Sequence, residues 1–180
     1  ELLDALPPAD PRAIRSRRDL RRVNAWMGNA GIMTRALRES FQARAPRGIV
    51  ELGAGDGEFM LSVARRLIPQ WKSVNVTLLD RQDNFNGATA RFEESGWQAR
   101  TIVADAFEWL ENPAVGPSEV RVANLFLHHF SEAQLIGLFR AAARTTTVLI
   151  AVEPRRSALS LAFSRMLWLI GCNAVTLHDA

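Results

Sequence analysis

Between an apolar run and a helical pattern, the stretch GIVELGAGDGEFMLSVARRL (Gly48 to Leu67) sets Gly53, Gly55 and Gly57 within five positions. Glu51 stands before them and Asp56 among them. Glycine lets a chain turn sharply after a strand and lets its backbone come close to a ligand. A dinucleotide fingerprint needs G-x-G-x-x-G, and Glu58 occupies the place of its last glycine. The loop is a poor cradle for pyrophosphate, which its carboxylates would repel. It suits a ligand that carries an ammonium or sulfonium.

A second group with chemical potential is FLHHFSEAQ, where His128 and His129 lie between an apolar run and a helix start marked by Ser131 and Gln134. Either histidine is a candidate catalytic base. For a phenol of pKa about 10 and a histidine of about 6.5, full proton transfer before reaction costs about 5 kcal/mol, so a histidine must act during attack. Adjacent positions are expected to point apart, so that only one of the pair faces an acceptor. His178 beside Asp179 is a further candidate. A metal site is not expected, because the single cysteine, Cys172, has no partner at C-x-x-C spacing and no H-x-x-x-H occurs.

These groups need elements to place them. Helical spacing follows the Asp10-Pro11 start through Leu20, Val23, Trp26 and Met27, and Gly28-Asn29-Ala30-Gly31 breaks it. A second helical piece carries Ile32, Met33, Leu37 and Phe41. From Gly48 the chain alternates strand and helix. The strands are expected at Ile49 to Leu52, Val74 to Leu79, Thr101 to Val103, Val120 to Leu127 and Thr147 to Val152, with a helix through about Gly96 and another holding Phe107, Trp109 and Leu110. This order predicts a doubly wound α/β fold with a mostly parallel sheet, whose ligands bind beyond the carboxyl ends of the strands. Those ends carry Glu51, Asp80, Asp105, Asn124 with the histidines, and Glu153 with Arg155 and Arg156.

Composition bounds the alternatives. The 180 residues allow one ordinary domain, 48% hydrophobic and 23% charged. The longest apolar stretch, Ala158 to Ile170, is interrupted by Ser160, Ser164 and Arg165 and reads as a packed helix. A lone cysteine and the absence of a leader pattern are in keeping with a cytoplasmic protein. The net charge of +3 does not by itself mark a nucleic-acid binder. Arg12, Arg15, Arg17, Arg18, Arg21 and Arg22 read first as a solvated helix face and second as a site for an anionic partner.

With ELGAGDG, the strand-terminal Asp80 of VTLLDR and the DA of VADAF in this order, the chain resembles the class I S-adenosylmethionine-dependent methyltransferases over roughly Ile49 to Val152. The resemblance implies a Rossmann-like sheet and S-adenosylmethionine as cofactor. Gly53, Gly55 and Gly57 would face its methionine part, with Glu51 beneath them near the ammonium group. Asp80 would accept from the ribose hydroxyls, Asp105 and Ala106 would lie at the adenine, and Asn124 would complete the set. Residues 1–45 would form a helical cover and 46–180 the cofactor-binding domain. Trp26, Met27, Met33, Phe41, Phe126, Phe130, Met166 and Trp168 would line an apolar acceptor pocket.

The expected activity is methyl transfer to a small aromatic or lipophilic acceptor (a phenol, quinone precursor or polyketide), at oxygen rather than carbon. Alternatives are an RNA or protein methyltransferase, or a noncatalytic cofactor-binding partner subunit. No nucleic-acid partner and no membrane span are expected, and a homodimer stays open. Two departures from the family matter. Asn124-Leu125-Phe126 lacks the two prolines of enzymes that methylate exocyclic amines of bases. The sixth and seventh strands of the family sheet have no counterpart here, which predicts a chain lacking its last strands.

Overall fold

The computed structural model describes residues 27–42 and 44–153, preceded by residues 10–12, 14, 15, 18, 19 and 22. Arg17, Arg21, Leu20, Val23 and Trp26 lie outside the described residues, as do Arg155, Arg156, the expected helix Ala158 to Ile170, Met166, Trp168, Cys172, His178 and Asp179. The chain divides into two compact units, Glu1–Gly28 with Pro154–Ala180, and Asn29–Glu153.

In the first unit Pro11, Arg12, Ile14, Arg15, Arg18, Asp19, Arg22 and Met27 are helical. Asp10 caps this helix, its Oδ1 accepting from the Arg12 amide at 2.8 Å, as Asp10-Pro11 predicts. Arg12, Arg15, Arg18 and Arg22 are exposed.

The second unit opens with α1, Asn29–Phe41. Gly28, at φ 69°, is the actual break, and the helix resumes at Asn29, inside the segment expected to interrupt it. Met33 and Leu37 recur at helical spacing and are fully buried, while Gln42 at φ 51° ends the helix in the left-handed conformation, its amide on the Arg38 carbonyl at 2.7 Å. Then follow β1 (Gly48–Leu52), α2 (Glu58–Leu67), β2 (Asn75–Asp80), α3 (Ala88–Glu94), β3 (Gln98–Val103) and α4 (Ala106–Glu111). After β4 (Ser118–Asn124) and a 3₁₀ turn at Leu127–His129 come α5 (Glu132–Ala143) and β5 (Thr146–Val152).

All five strands run parallel in the order β3-β2-β1-β4-β5, so the chain reverses direction across the sheet between β1 and β4. The doubly wound architecture is as predicted. Register aligns Leu52 with Leu79 and with Ala123, Asp80 with Val103, and Asn124 with Val152, which gathers the strand ends on one edge.

Alternation along β1 divides the core. Ile49 joins Met33, Met60, Trp71, Phe92 and Trp97 on the face covered by α1 to α3, and Val50 and Leu52 join Leu110, Leu138 and Ala142 under α4 and α5. Arg121, fully buried on β4, is held under the Trp109 ring at 5.4 Å and donates to the Ala142 carbonyl and the Thr145 and Thr146 hydroxyls. Among the described residues, no helix is long and apolar enough to cross a membrane.

Most strand boundaries fall within two residues of expectation, and three differences are informative. β4 stops at Asn124, because Leu125 takes φ 50° and turns the chain out of the sheet. β3 begins at Gln98, earlier than its apolar residues indicate, since an edge strand keeps polar side chains in water. The helix expected through Gly96 ends at Glu94.

Candidate functional site

The loop after β1 crosses the sheet edge at its reversal point. Gly53, Gly55 and Gly57 take φ of 68°, 57° and 78°, values that side-chain-bearing residues adopt only with strain. Their surroundings differ. A methyl on Gly53 would lie 2.1 Å from Cδ2 of Phe126, so the first glycine makes room for an aromatic ring. One on Gly57 would meet Leu78 at 2.8 Å. Only Gly55 of the three opens onto clear space, where a ligand can come against the backbone.

Asp80, at the end of β2, fixes that open segment. Its Oδ2 accepts from the Gly55 amide at 2.8 Å and its Oδ1 from the Gln82 amide at 2.9 Å. Asp56 folds a local turn just before α2, its Oδ1 accepting from the Glu58 amide at 3.2 Å. From α3, Arg91 bonds the Asp56 carbonyl at 3.3 Å and the Asn86 carbonyl at 2.7 Å and pairs with Glu58 at 3.1 Å, stapling the loop from outside. Under the loop lies Glu51, 1% exposed, with one carboxylate oxygen, Oε2, lacking any hydrogen-bond partner. Burial, then the charges of Asp56 and Asp80, push its pKa well above the usual carboxylate range.

Asp105 accepts from the amides of Phe107 at 2.8 Å and Glu108 at 3.3 Å and so caps α4, with Ala106 buried behind it. Asn124, at the end of β4, accepts a buried 2.9 Å hydrogen bond from Nδ2 of Asn29, the first residue of α1. The expected break in the helical pattern thus supplies a side chain to the sheet's reversal point.

The segment after β4 is held by Glu153. Its Oε1 accepts from the amides of Phe126 at 2.9 Å and Leu127 at 2.8 Å, and its Oε2 lies 2.8 Å from Nδ1 of His128. Burial alone would raise the pKa of Glu153, but the bonds from the His128 side chain and the two amides outweigh it and hold the pKa below the usual value. An ionised carboxylate can only accept, so Nδ1 of His128 carries a proton, and in the neutral ring Nε2 has the lone pair. The rings of His128 and His129 lie 4.1 Å apart at 43°, which corrects the expectation that adjacent histidines diverge: the tight turn brings the two rings together. His128 is half-buried and His129 exposed.

Beside them Phe126, Phe107 and Phe130 stack edge to face, with Phe130 5.1 Å from Phe107 and 5.0 Å from Phe126. Met33 and Phe41 do not share this place. Met33 is core, and Phe41 stacks edge-on against Trp71, so neither is part of the aromatic group above the strand ends.

Sequence reasoning named Glu153 among the strand-end residues without a role, and missed Asn29 and Arg91. Glu153 carried a usable signal, an acid directly after an apolar strand, as in VTLLD.

No family model and no curated protein matches this chain. Solved structures do. The plantazolicin methyltransferase BpumL in complex with SAH superposes with a TM-score of 0.63 at 14% identity, covering 95% of this chain and 63% of that one. An O-methyltransferase family protein from Burkholderia thailandensis gives 0.57 at 21%, covering 88% and 48%. The plantazolicin methyltransferase BamL, in complex with a triazolic desmethylPZN analog and SAH, gives 0.53 at 16%, covering 77% and 49%. The chain spans less than two thirds of each of these proteins. It shares their fold.

Proposed function

We propose that the chain is the cofactor-binding part of an S-adenosylmethionine-dependent methyltransferase. The observation that carries this reading is the unpartnered Oε2 of Glu51, buried beneath a glycine loop with two further carboxylates around it. Leaving a carboxylate in that position is costly, and a cationic ligand at the loop removes the cost. Dinucleotides and nucleotide phosphates would add to it. The likeness in fold to proteins solved with SAH supports the same cofactor.

Bound here, S-adenosylmethionine supplies a sulfonium-borne methyl group for displacement by an acceptor nucleophile. Glu51 would sit near its cationic end and the Gly55 backbone against its methionine part. Asp80 would meet the ribose hydroxyls, which a carboxylate pairs well. Asp105 and Ala106 would border the adenine, and Asn124 the reversal point. Alignment of acceptor and methyl is the main contribution open to such a site, and positioning of this kind supplies roughly 7–11 kcal/mol.

The acceptor is a small aromatic or lipophilic molecule with a hydroxyl group. The Phe107, Phe126 and Phe130 stack supports an apolar ring. A hydroxyl must lose its proton, and Nε2 of His128, with the lone pair set toward it by Glu153, takes that proton during attack. His129, stacked on His128, helps to shape the same edge. The O-methyltransferase family protein among the structural neighbours agrees with transfer to oxygen.

Calorimetric titration with S-adenosylhomocysteine tests the cofactor assignment. Micromolar binding is expected, lost in Asp80→Ala and unaffected by NADH. Displacement by NADH, or equal binding by the variant, overturns it.

A further inference from the structure

On the outer side of α1, away from the glycine loop, a cleft of about 430 Å³ is lined by Gly31, Thr34, Arg35 and Arg38 of α1 and by Arg66 at the end of α2. Among the described residues the ionisable groups that line it are all arginines, and no carboxylate borders it. Arg38 is tethered, its Nη2 on the Arg66 carbonyl at 2.8 Å, one of the last carbonyls of α2. That bond fixes one guanidinium and ties the two helices together. The side chains of Arg35 and Arg66 are exposed and engage no described residue.

Three like charges at one concavity repel one another and focus a positive potential in it. Gly31, with no side chain, leaves one wall open, and the Thr34 hydroxyl is occupied by the Ala30 carbonyl at 2.6 Å, so recognition falls to the guanidinium groups. A planar guanidinium fork matches an oxyanion with two acceptor oxygens.

We infer that this cleft is a binding site for a phosphate group, distinct from the cofactor site. S-adenosylmethionine has no phosphate, so the ligand is a different, phosphate-bearing molecule.

Calorimetric titration of the chain with inorganic phosphate at low ionic strength decides the matter. Saturable one-to-one binding is expected, weakening as salt is raised. The double variant Arg35→Gln/Arg66→Gln should weaken it by about tenfold or more. Both residues are exposed, and the substitution keeps the carbonyl that Arg38 uses. S-adenosylhomocysteine affinity in the same variant should be unchanged, which separates this site from the cofactor reading. Absence of saturable phosphate binding, or equal affinity in the double variant, overturns the inference.

Discussion

Glu153 shows how one side chain sets both the position and the protonation of another. Its carboxylate holds two amides of the turn after β4 and the Nδ1 proton of His128. In Glu153→Gln the amide can still accept from the backbone, but its nitrogen would donate to Nδ1 and move the histidine's proton to Nε2, the wrong atom for a base. Acceptor methylation is therefore expected to lose about 10²–10⁴ in kcat, the usual worth of general base catalysis, with S-adenosylhomocysteine affinity intact. His128→Ala should lose as much, and Glu153→Asp less. The pH–rate profile is the discriminating readout. An unchanged kcat and profile in Glu153→Gln would confine Glu153 to holding the loop. The sign for pH is set by its lowered pKa: the stability this carboxylate contributes is present above its unfolded value and lost as pH falls through its folded one.

At the scale of elements, the loop after β1 and the turn after β4 are built for each other. Gly53 gives way to the Phe126 ring, and Phe126 reaches it because Leu125 bends back at φ 50°. Gly53→Ala combines left-handed strain of about 1–2 kcal/mol with overpacking of about 1–3 kcal/mol. Gly55→Ala meets open space and incurs the strain alone. Urea unfolding should thus rank Gly53→Ala below Gly55→Ala in stability, and Gly53→Ala/Phe126→Leu should recover part of the difference. Equal destabilisation by the two alanines would mean that the ring does not rest on Gly53. Much of this level was legible in the sequence. Strand-helix alternation, the Ser131–Gln134 capping box and the acids at strand ends all follow local patterns, and all are present. What was not legible depends on partners distant in sequence. Leu125 has no residue-type mark for positive φ, the Phe126 ring chooses Gly53 only in the folded sheet, and Asn29 meets Asn124 across 95 residues.

At the scale of the whole molecule, Glu51 links the candidate site to global stability. Its pKa is raised, so the folded chain holds that proton more tightly than the unfolded chain does, and stability falls as pH rises through the raised value. A buried acid whose ionisation costs stability is thus kept at the centre of the sheet's reversal, against the interest of the fold. Glu51→Gln removes the ionisable group and keeps the shape, and at pH above the raised value it should raise the melting temperature by about 2–4 °C for each kcal/mol recovered. The same variant should bind S-adenosylhomocysteine more weakly. In the unsubstituted chain, ligand at 100 times its Kd adds about 2.7 kcal/mol, and the gain should grow with pH, because the ligand's ammonium group compensates the ionised form. Melting curves of both chains with and without ligand, at two pH values, separate the two contributions. A Glu51→Gln chain less stable than its parent at high pH, with ligand affinity unaltered, would make Glu51 an ordinary core residue and leave the glycine loop without its cationic ligand.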